Sequence, residues 1–410
     1  MERNFMKIKI KTKISLEELG VIAYSIFLIA TLLSTTFYFQ YIKGVIYNSL
    51  LLLSLGLMTI REALITKYTR RTIYGLLVCV LFGGLIWMAD MPNRNILILT
   101  VFFVYFSRNI SFEKIANISM KISIAFLLFI VLSSWTGFIT NYITYSGGRS
   151  RKYLGFLYAL FPSTIMFNIT ALNIYLKKAS ITWKNIILLL IANCFVFYQT
   201  NSRLSFLLSI ILICFSVLLK CVPNLKKKWK AVFWGLTFGF PFFALVSIMC
   251  MFLYQKGSRI IILFDLAMER RIHLASDALA KYGISLFGTK FSMVGNGLDI
   301  YGNNTSHLYS TYSYIDNWYD QILIRDGWLF CVVVICVITV VSVKVYFSDK
   351  DGYLTIILFM LSVQSLIQDS IMSVYFNSFI FVIGFYLMNE FNKIKNNRQK
   401  EIIFRRNNRY

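Results

Sequence analysis

The chain has 410 residues, 58% hydrophobic and 15% charged, with 42 basic side chains against 18 acidic ones. That composition excludes an ordinary soluble domain of this length. The apolar residues arrive in blocks of about 15 to 25, the length a helix needs to cross roughly 30 Å of hydrocarbon, and the alternating strands of a membrane barrel are missing. The net charge of +24 is spread in short clusters between these blocks, without a groove-binding motif. It therefore reads as topology signal, and nucleic acid is not an expected partner.

In chain order, residues 1–18 form a basic N-terminal segment (Lys7, Lys9, Lys11, Lys13) without a small-residue cleavage site, so the first span is expected to be retained. Spans are predicted at about 19–41, 45–60, 72–88, 93–107, 121–140, 154–176, 185–200, 204–222 and 231–254, nine in all over 19–254. A long hydrophilic segment follows at 255–316. Three more spans, about 317–343, 353–368 and 371–389, occupy 317–389, with the alternative that the last two form a hairpin around Gln368 and Asp369. A basic tail, 390–410, closes the chain. The expected fold class is an all-α polytopic membrane protein with about 12 transmembrane helices and one large external loop between spans 9 and 10.

Lysine and arginine counts set the orientation. With the N-terminus inside, the cytoplasmic segments hold 29 of the 42 basic residues, while the 18 acidic ones divide evenly. Both termini are then cytoplasmic and 255–316 lies outside. That segment opens with a predicted amphipathic helix over 258–282. Phe264, Met268, Ile272, Ala275 and Leu279 form its apolar stripe, and it is expected to lie along the membrane surface. The seven cysteines show no CxxC spacing and read as small buried hydrophobes.

The exceptions to the charge rule carry the functional information. Arg149, Arg151 and Lys152 lie between spans five and six, Arg203 opens span eight, and Arg259, Arg270 and Arg271 lie in the large loop. Arg325 falls inside span ten, where an arginine at membrane-centre depth costs roughly 2.5–3.5 kcal/mol. It is expected to pair with Asp326 or Gln321, or to face a polar cavity. Arg203 fits either a snorkelling anchor or a ligand contact. Arginines converging on one face suit a lipid-linked pyrophosphate, whose oxygens a guanidinium grips bidentately.

Both histidines, His273 and His307, fall in the large loop and are either exposed loop residues or bases active near neutral pH. Asp316 opens span ten as an N-cap, a first-turn acid, or an acid poised to take a proton from a sugar hydroxyl. Asp349-Lys350-Asp351 reads as a solvated turn. No metal or other cofactor is expected, and Walker A, H-E-x-x-H and G-x-S-x-G patterns are missing.

Four segments resemble the Wzy-type oligosaccharide repeat-unit polymerases of bacterial capsule and exopolysaccharide assembly. Thr200-Asn201-Ser202-Arg203 is similar to that family's T-x-S-R. Arg151-Lys152-Tyr153-Leu154-Gly155-Phe156 is similar to its R-x-x-LGF. Arg271-Ile272-His273-Leu274, with Ala278-Leu279 and Ile284-Ser285-Leu286-Phe287-Gly288, resembles its R-x-x-L…AL…I-x-LFG. Tyr314-Ile315-Asp316-Asn317-Trp318-Tyr319, followed by Ile322-Leu323-Ile324-Arg325-Asp326-Gly327, resembles its Y-x-I-D-N-x-Y…I-L…G.

The resemblance implies a glycosyltransferase of the bacterial plasma membrane. It would move the growing glycan from undecaprenyl pyrophosphate to a fresh lipid-linked repeat unit, without nucleotide sugar or ATP. By the same resemblance Arg151, Arg203 and Arg271 bind substrate and His307 or Asp316 is the catalytic base. A chain-length regulator and a flippase of the same pathway would be partners. The architecture also fits a ligase that hands finished polymer to another acceptor, or a flippase for the same lipid-linked oligosaccharide, although the paired halves usual in such transporters are not visible.

Overall fold

Ser15 and Glu18 cap each other at the start of the first helix, α1 (Leu16–Leu33): the Glu18 amide donates to the Ser15 hydroxyl and the Ser15 amide to the Glu18 carboxylate, satisfying two otherwise orphan donors. The computed structural model describes residues 15–66, 68–89, 93–146, 149–222, 224–303 and 312–388. After α1 come α2 (Phe39–Ile42), α3 (Val45–Ile65), α4 (Arg70–Met88), α5 (Arg94–Phe106) and α6 (Phe112–Trp135). A hairpin of β1 (Ile143–Ser146) and β2 (Arg149–Lys152) leads to α7 (Phe161–Lys177), α8 (Trp183–Thr200) and α9 (Arg203–Cys221). The chain continues through α10 (Leu225–Lys228), α11 (Lys230–Leu236), α12 (Gly239–Gln255), α13 (Arg259–Ala267) and α14 (Arg271–Tyr282). The last helices are α15 (Trp318–Ile324), α16 (Trp328–Ser348), α17 (Tyr353–Gln364) and α18 (Phe381–Met388).

Among the described residues, six helices are long and apolar enough to cross a membrane: α1, α3, α6, α8, α9 and α16. Helices α11 and α12 make a seventh if counted as one span bent by 57°. Large apolar side chains such as Leu52, Leu77, Leu81, Leu128 and Leu188 are exposed, as a lipid-facing surface requires. The protein is thus a helical membrane protein, with fewer helices of spanning length than the twelve apolar blocks suggest. Local breaks shorten three of the blocks. The 93–107 block gives only a 13-residue helix before a 3-10 turn. In the 154–176 block a left-handed turn at Leu154 (φ 52°) and Gly155 (φ 85°) delays the helix to Phe161. The 371–389 block is largely 3-10 turns before α18.

One end of the bundle is clamped by buried charge. Arg61, on α3, donates from Nε to the carbonyl of Leu16 at 3.0 Å and from Nη1 to that of Phe106 at 2.8 Å. The second contact sets a cation against the exposed carbonyls at the C-terminus of α5. Beside it Arg108 pairs with Glu62 at 2.5 Å. At the same end Asp349, expected as a solvated turn residue, is buried and accepts from the Thr355 amide at 3.0 Å near the start of α17.

Three further findings refine or correct the expectations. The helical fold also carries one small sheet, the β1–β2 hairpin, in which Ile143 pairs with Lys152 and Ser146 with Arg149. The single amphipathic helix over 258–282 is two helices, broken where Glu269 (φ 58°) and Arg270 (φ 61°) turn left-handed. Asp265 makes the break stable: its carboxylate accepts from the amides of Ile272 and His273 at 2.8 and 3.1 Å, the free donors at the head of α14. Helix α13 exposes Ile260, Leu263 and Phe264, whereas α14 buries Ala275, Ala278 and Leu279. The exposed apolar face therefore belongs to the first of the two helices.

The third correction concerns the 317–343 span, which is interrupted at 325–327. The segment 285–289 takes up the freed backbone groups. Thr289 donates to the Arg325 carbonyl at 3.1 Å, Trp328 to that of Ser285 at 3.1 Å, and Leu329 to that of Leu286 at 3.3 Å. A methyl group on Gly288 would collide with the Arg325 carbonyl and one on Gly327 with the backbone of Gly288, and both glycines have positive φ. Arg325 is neutralised by its neighbour Asp326 through contacts of 2.7 and 3.1 Å, one of the pairings expected for it.

Candidate functional site

At the end of the bundle opposite the Arg61 clamp, segments distant in sequence meet around a cavity of about 630 Å³. Helix α8 ends at Thr200, Asn201 adopts φ 51° and α9 begins at Arg203, so the tight turn sets Arg203 at the cavity lining. The hairpin supplies Arg149 and Arg151. The α13–α14 break supplies Glu269, Arg270 and Arg271, and the stretch before α15 supplies Tyr312 and Asp316. Four of the five residues expected to bind substrate or act as base (Arg151, Arg203, Arg271 and Asp316) therefore line one cavity. The fifth, His307, lies outside the described residues. His273 also lines the cavity, with Nε2 3.3 Å from the Asp277 carboxylate.

The turn after β2 aligns the hairpin. Tyr153 donates its amide to the carbonyl of Tyr142 at 2.9 Å, and its hydroxyl to that of Asn296 at 3.1 Å. Phe37 donates to Gly155 at 3.1 Å and Leu157 to Thr35 at 2.9 Å, while Leu298 donates to Leu157 at 2.8 Å. The R-x-x-LGF segment is thus a staple between the chain after α1, the hairpin and the 294–299 stretch, with Arg151 on the cavity side.

Asp316 is the central acid. The N-cap of α15 is Asn317, whose side chain accepts from the Tyr319 amide at 3.0 Å, and the first-turn acid is Asp320. Asp316 is accordingly released from capping duty. Its Oδ2 lies 3.7 Å from Nε of Arg271 and 3.4 Å from the Tyr312 hydroxyl. Burial pushes its carboxyl up to about 6; the Arg271 charge opposes this and Asp369 adds to it. Arg271 is fixed by donating Nη1 to the carbonyl of Ile367 at 2.8 Å.

The arginines are not equivalent. Arg149 is committed to Glu269 at 3.0 Å. Burial acts to raise the Glu269 carboxyl, but Arg149, Arg271 and Arg151 outweigh it and hold the group below the usual range. Arg203 and Arg151 make no ion pair among the described residues and leave their guanidinium groups to the cavity. Five arginines against two carboxylates give a lining suited to an anion with several phosphate oxygens.

A second cavity of about 370 Å³ adjoins the first and shares Tyr158, Tyr312, Asp316 and Gln368 with it. Gln368 ties three helices together: it donates to the Ser205 hydroxyl at 2.9 Å and accepts from Gln364 at 2.9 Å and Thr164 at 3.2 Å. Sequence reading gave no site role to Tyr158, Tyr312, Tyr314, Gln368 or Asp369. The signal for the last two was present, since adjacent polar residues between apolar blocks need partners in a membrane protein. Among the described residues, no group of three His, Cys, Asp or Glu side chains comes together as a metal site. Comparison of the chain with protein-family models, with curated proteins and with solved structures finds no match.

Proposed function

We propose that the protein is a polymerase of lipid-linked oligosaccharide repeat units, acting at the outer face of a bacterial plasma membrane in capsule or exopolysaccharide synthesis. The observation that carries this reading is the convergence of Arg151, Arg203, Arg271 and Asp316 on one cavity. They come from a hairpin, two helix starts and the loop before α15. The excess of basic residues in the segments assigned to the cytoplasm supports placing this end of the bundle outside.

In the reaction proposed, the arginines hold the pyrophosphate of the donor. Asp316 takes the proton of an acceptor sugar hydroxyl as that oxygen attacks the donor anomeric carbon from the side opposite the leaving group. The new C–O bond forms, the C–O bond to phosphate breaks, and its electron pair departs on undecaprenyl pyrophosphate, whose growing charge the arginines stabilise. Asp316 then returns its proton to water once the product moves on. A carboxylate titrating at about 6 is ionised at neutral pH and still basic enough to assist.

A deletion in the native host tests the reading. Accumulation of single lipid-linked repeat units is the expected result. Accumulation of long lipid-linked chains indicates a ligase, and repeat units confined to the inner leaflet indicate a flippase; either overturns the proposal.

A further inference from the structure

The second cavity differs from the first in one chemical respect: among the described residues, no lysine or arginine lines it. Its walls carry aromatic rings, among them Tyr47, Tyr158, Phe161, Tyr375 and Phe376, and its polar groups are hydroxyls, amides and the carboxylates of Asp316 and Asp369. A phosphate would meet only negative or neutral groups there. An uncharged polyhydroxylated ring suits it, its C–H faces against the aromatic side chains and its hydroxyls toward the amides and carboxylates.

Two polar groups at this cavity keep hydrogen-bonding capacity unmet among the described residues. Asp369 receives the Tyr314 hydroxyl at 2.5 Å and Nε2 of Gln321 at 3.2 Å, both on Oδ2. Those contacts hold the carboxylate in place, while Oδ1 takes no hydrogen bond from them. The hydroxyl of Tyr47, a residue only 8% exposed, is buried without a hydrogen-bond partner. The Ser34 hydroxyl, which also lines the cavity, donates to the carbonyl of Thr31 at 2.7 Å and keeps its oxygen lone pairs beside the Tyr47 hydroxyl. A buried hydroxyl is costly when unmatched, so a polar ligand that reached it would be favoured.

We infer that this cavity is the seat of the acceptor sugar, with the Asp369 carboxylate and the Tyr47 hydroxyl reading its hydroxyl pattern. The inference rests on the polymerase reading, which requires the acceptor oxygen to reach Asp316 from the side away from the pyrophosphate. Asp316 is at the junction of the two cavities, with the arginines on one side and Asp369 and Tyr47 on the other. Asp369 is a specificity-determining residue in this arrangement, since a site that hydrogen-bonds a ligand hydroxyl rejects analogues lacking it.

The test uses the full chain in detergent and two probes measured separately. One is the host's oligosaccharide repeat unit freed from its lipid by mild acid; the other is sugar-free undecaprenyl pyrophosphate. Asp369→Asn is expected to weaken oligosaccharide binding about tenfold or more, and Tyr47→Phe about threefold. Neither should change binding of the lipid pyrophosphate, and Arg203→Ala should show the reverse pattern. Tyr47→Phe removes one oxygen atom and keeps the ring, so it stays informative if Asp369→Asn folds poorly. Unchanged oligosaccharide affinity in Tyr47→Phe and in folded Asp369→Asn overturns the inference, as does equal loss of both probes. A wild-type protein that binds the free oligosaccharide but never extends lipid-linked units contradicts the polymerase reading instead, so the two failures are distinguishable.

Discussion

Arg271 sets its Nε 3.7 Å from Oδ2 of Asp316 while its Nη1 is held by the carbonyl of Ile367 at 2.8 Å. The first contact keeps a buried acid more acidic than burial alone allows. The second orients the guanidinium so that it lines the cavity without closing a short ion pair on the acid. One arginine thereby serves both the proposed base and the proposed leaving-group site.

Activity should follow the ionised form of Asp316. Extension rate is expected to rise with pH through about 6 and level off above it. Arg271→Ala removes the group that lowers this carboxyl, so the rising limb should move to higher pH and the plateau should fall. A pH–rate profile of both proteins checks the shift. A limb that stays in place or moves to lower pH contradicts the assigned coupling.

Asp316→Asn keeps the shape of the side chain and removes the base. Loss of general-base assistance is worth about 10²–10⁴ in rate. Chain extension should fall by that order while binding of undecaprenyl pyrophosphate is kept. Parallel measurement of rate and binding separates the chemical loss from misfolding.

Arg203 and Arg149 face the same cavity and should differ in consequence. Arg149 already spends its guanidinium on Glu269, whereas Arg203 makes no ion pair among the described residues. Arg203→Ala should cost about tenfold or more in affinity for the lipid pyrophosphate, the scale of a charge-assisted hydrogen bond. Arg149→Ala should cost less, and its effect on stability should stay within about 1 kcal/mol because the pair is half-exposed. Titration of each variant with undecaprenyl pyrophosphate decides.

Gly327→Ala and Gly288→Ala should each lower thermal stability in detergent by about 1–3 kcal/mol. Both positions have positive φ, and each added methyl meets backbone. Melting curves of the purified variants check this. Unchanged melting would contradict the close packing of the 285–289 segment on the helix break.

The sequence made the helical membrane class plain, since block length and dispersed charge are read directly against the thickness of the bilayer. It was weaker on where helices stop. Leu154 and Gly155, or Glu269 and Arg270, break a helix through backbone dihedrals that apolar periodicity does not report. Basic residues in the segments assigned to the outer face are legible as exceptions to the charge rule, and the resemblance singles out Arg151, Arg203 and Arg271 among them. Tyr312, Gln368 and Asp369 did not, because their place in the site depends on long-range packing between the end of α17, α9 and the stretch before α15. Asp316 was legible as an acid near a helix start and, by the resemblance, as a candidate base; that Asn317 takes the capping role is a local choice between two adequate caps.

The most direct test of the central claim is extension of purified lipid-linked repeat units by the purified protein in detergent, with no nucleotide sugar, ATP or other enzyme present. The account predicts a ladder of lengthening lipid-linked products, formed more slowly by Arg271→Ala and about 10²–10⁴-fold more slowly by Asp316→Asn. Absence of any product longer than one repeat from folded wild-type protein that binds the substrate would contradict it.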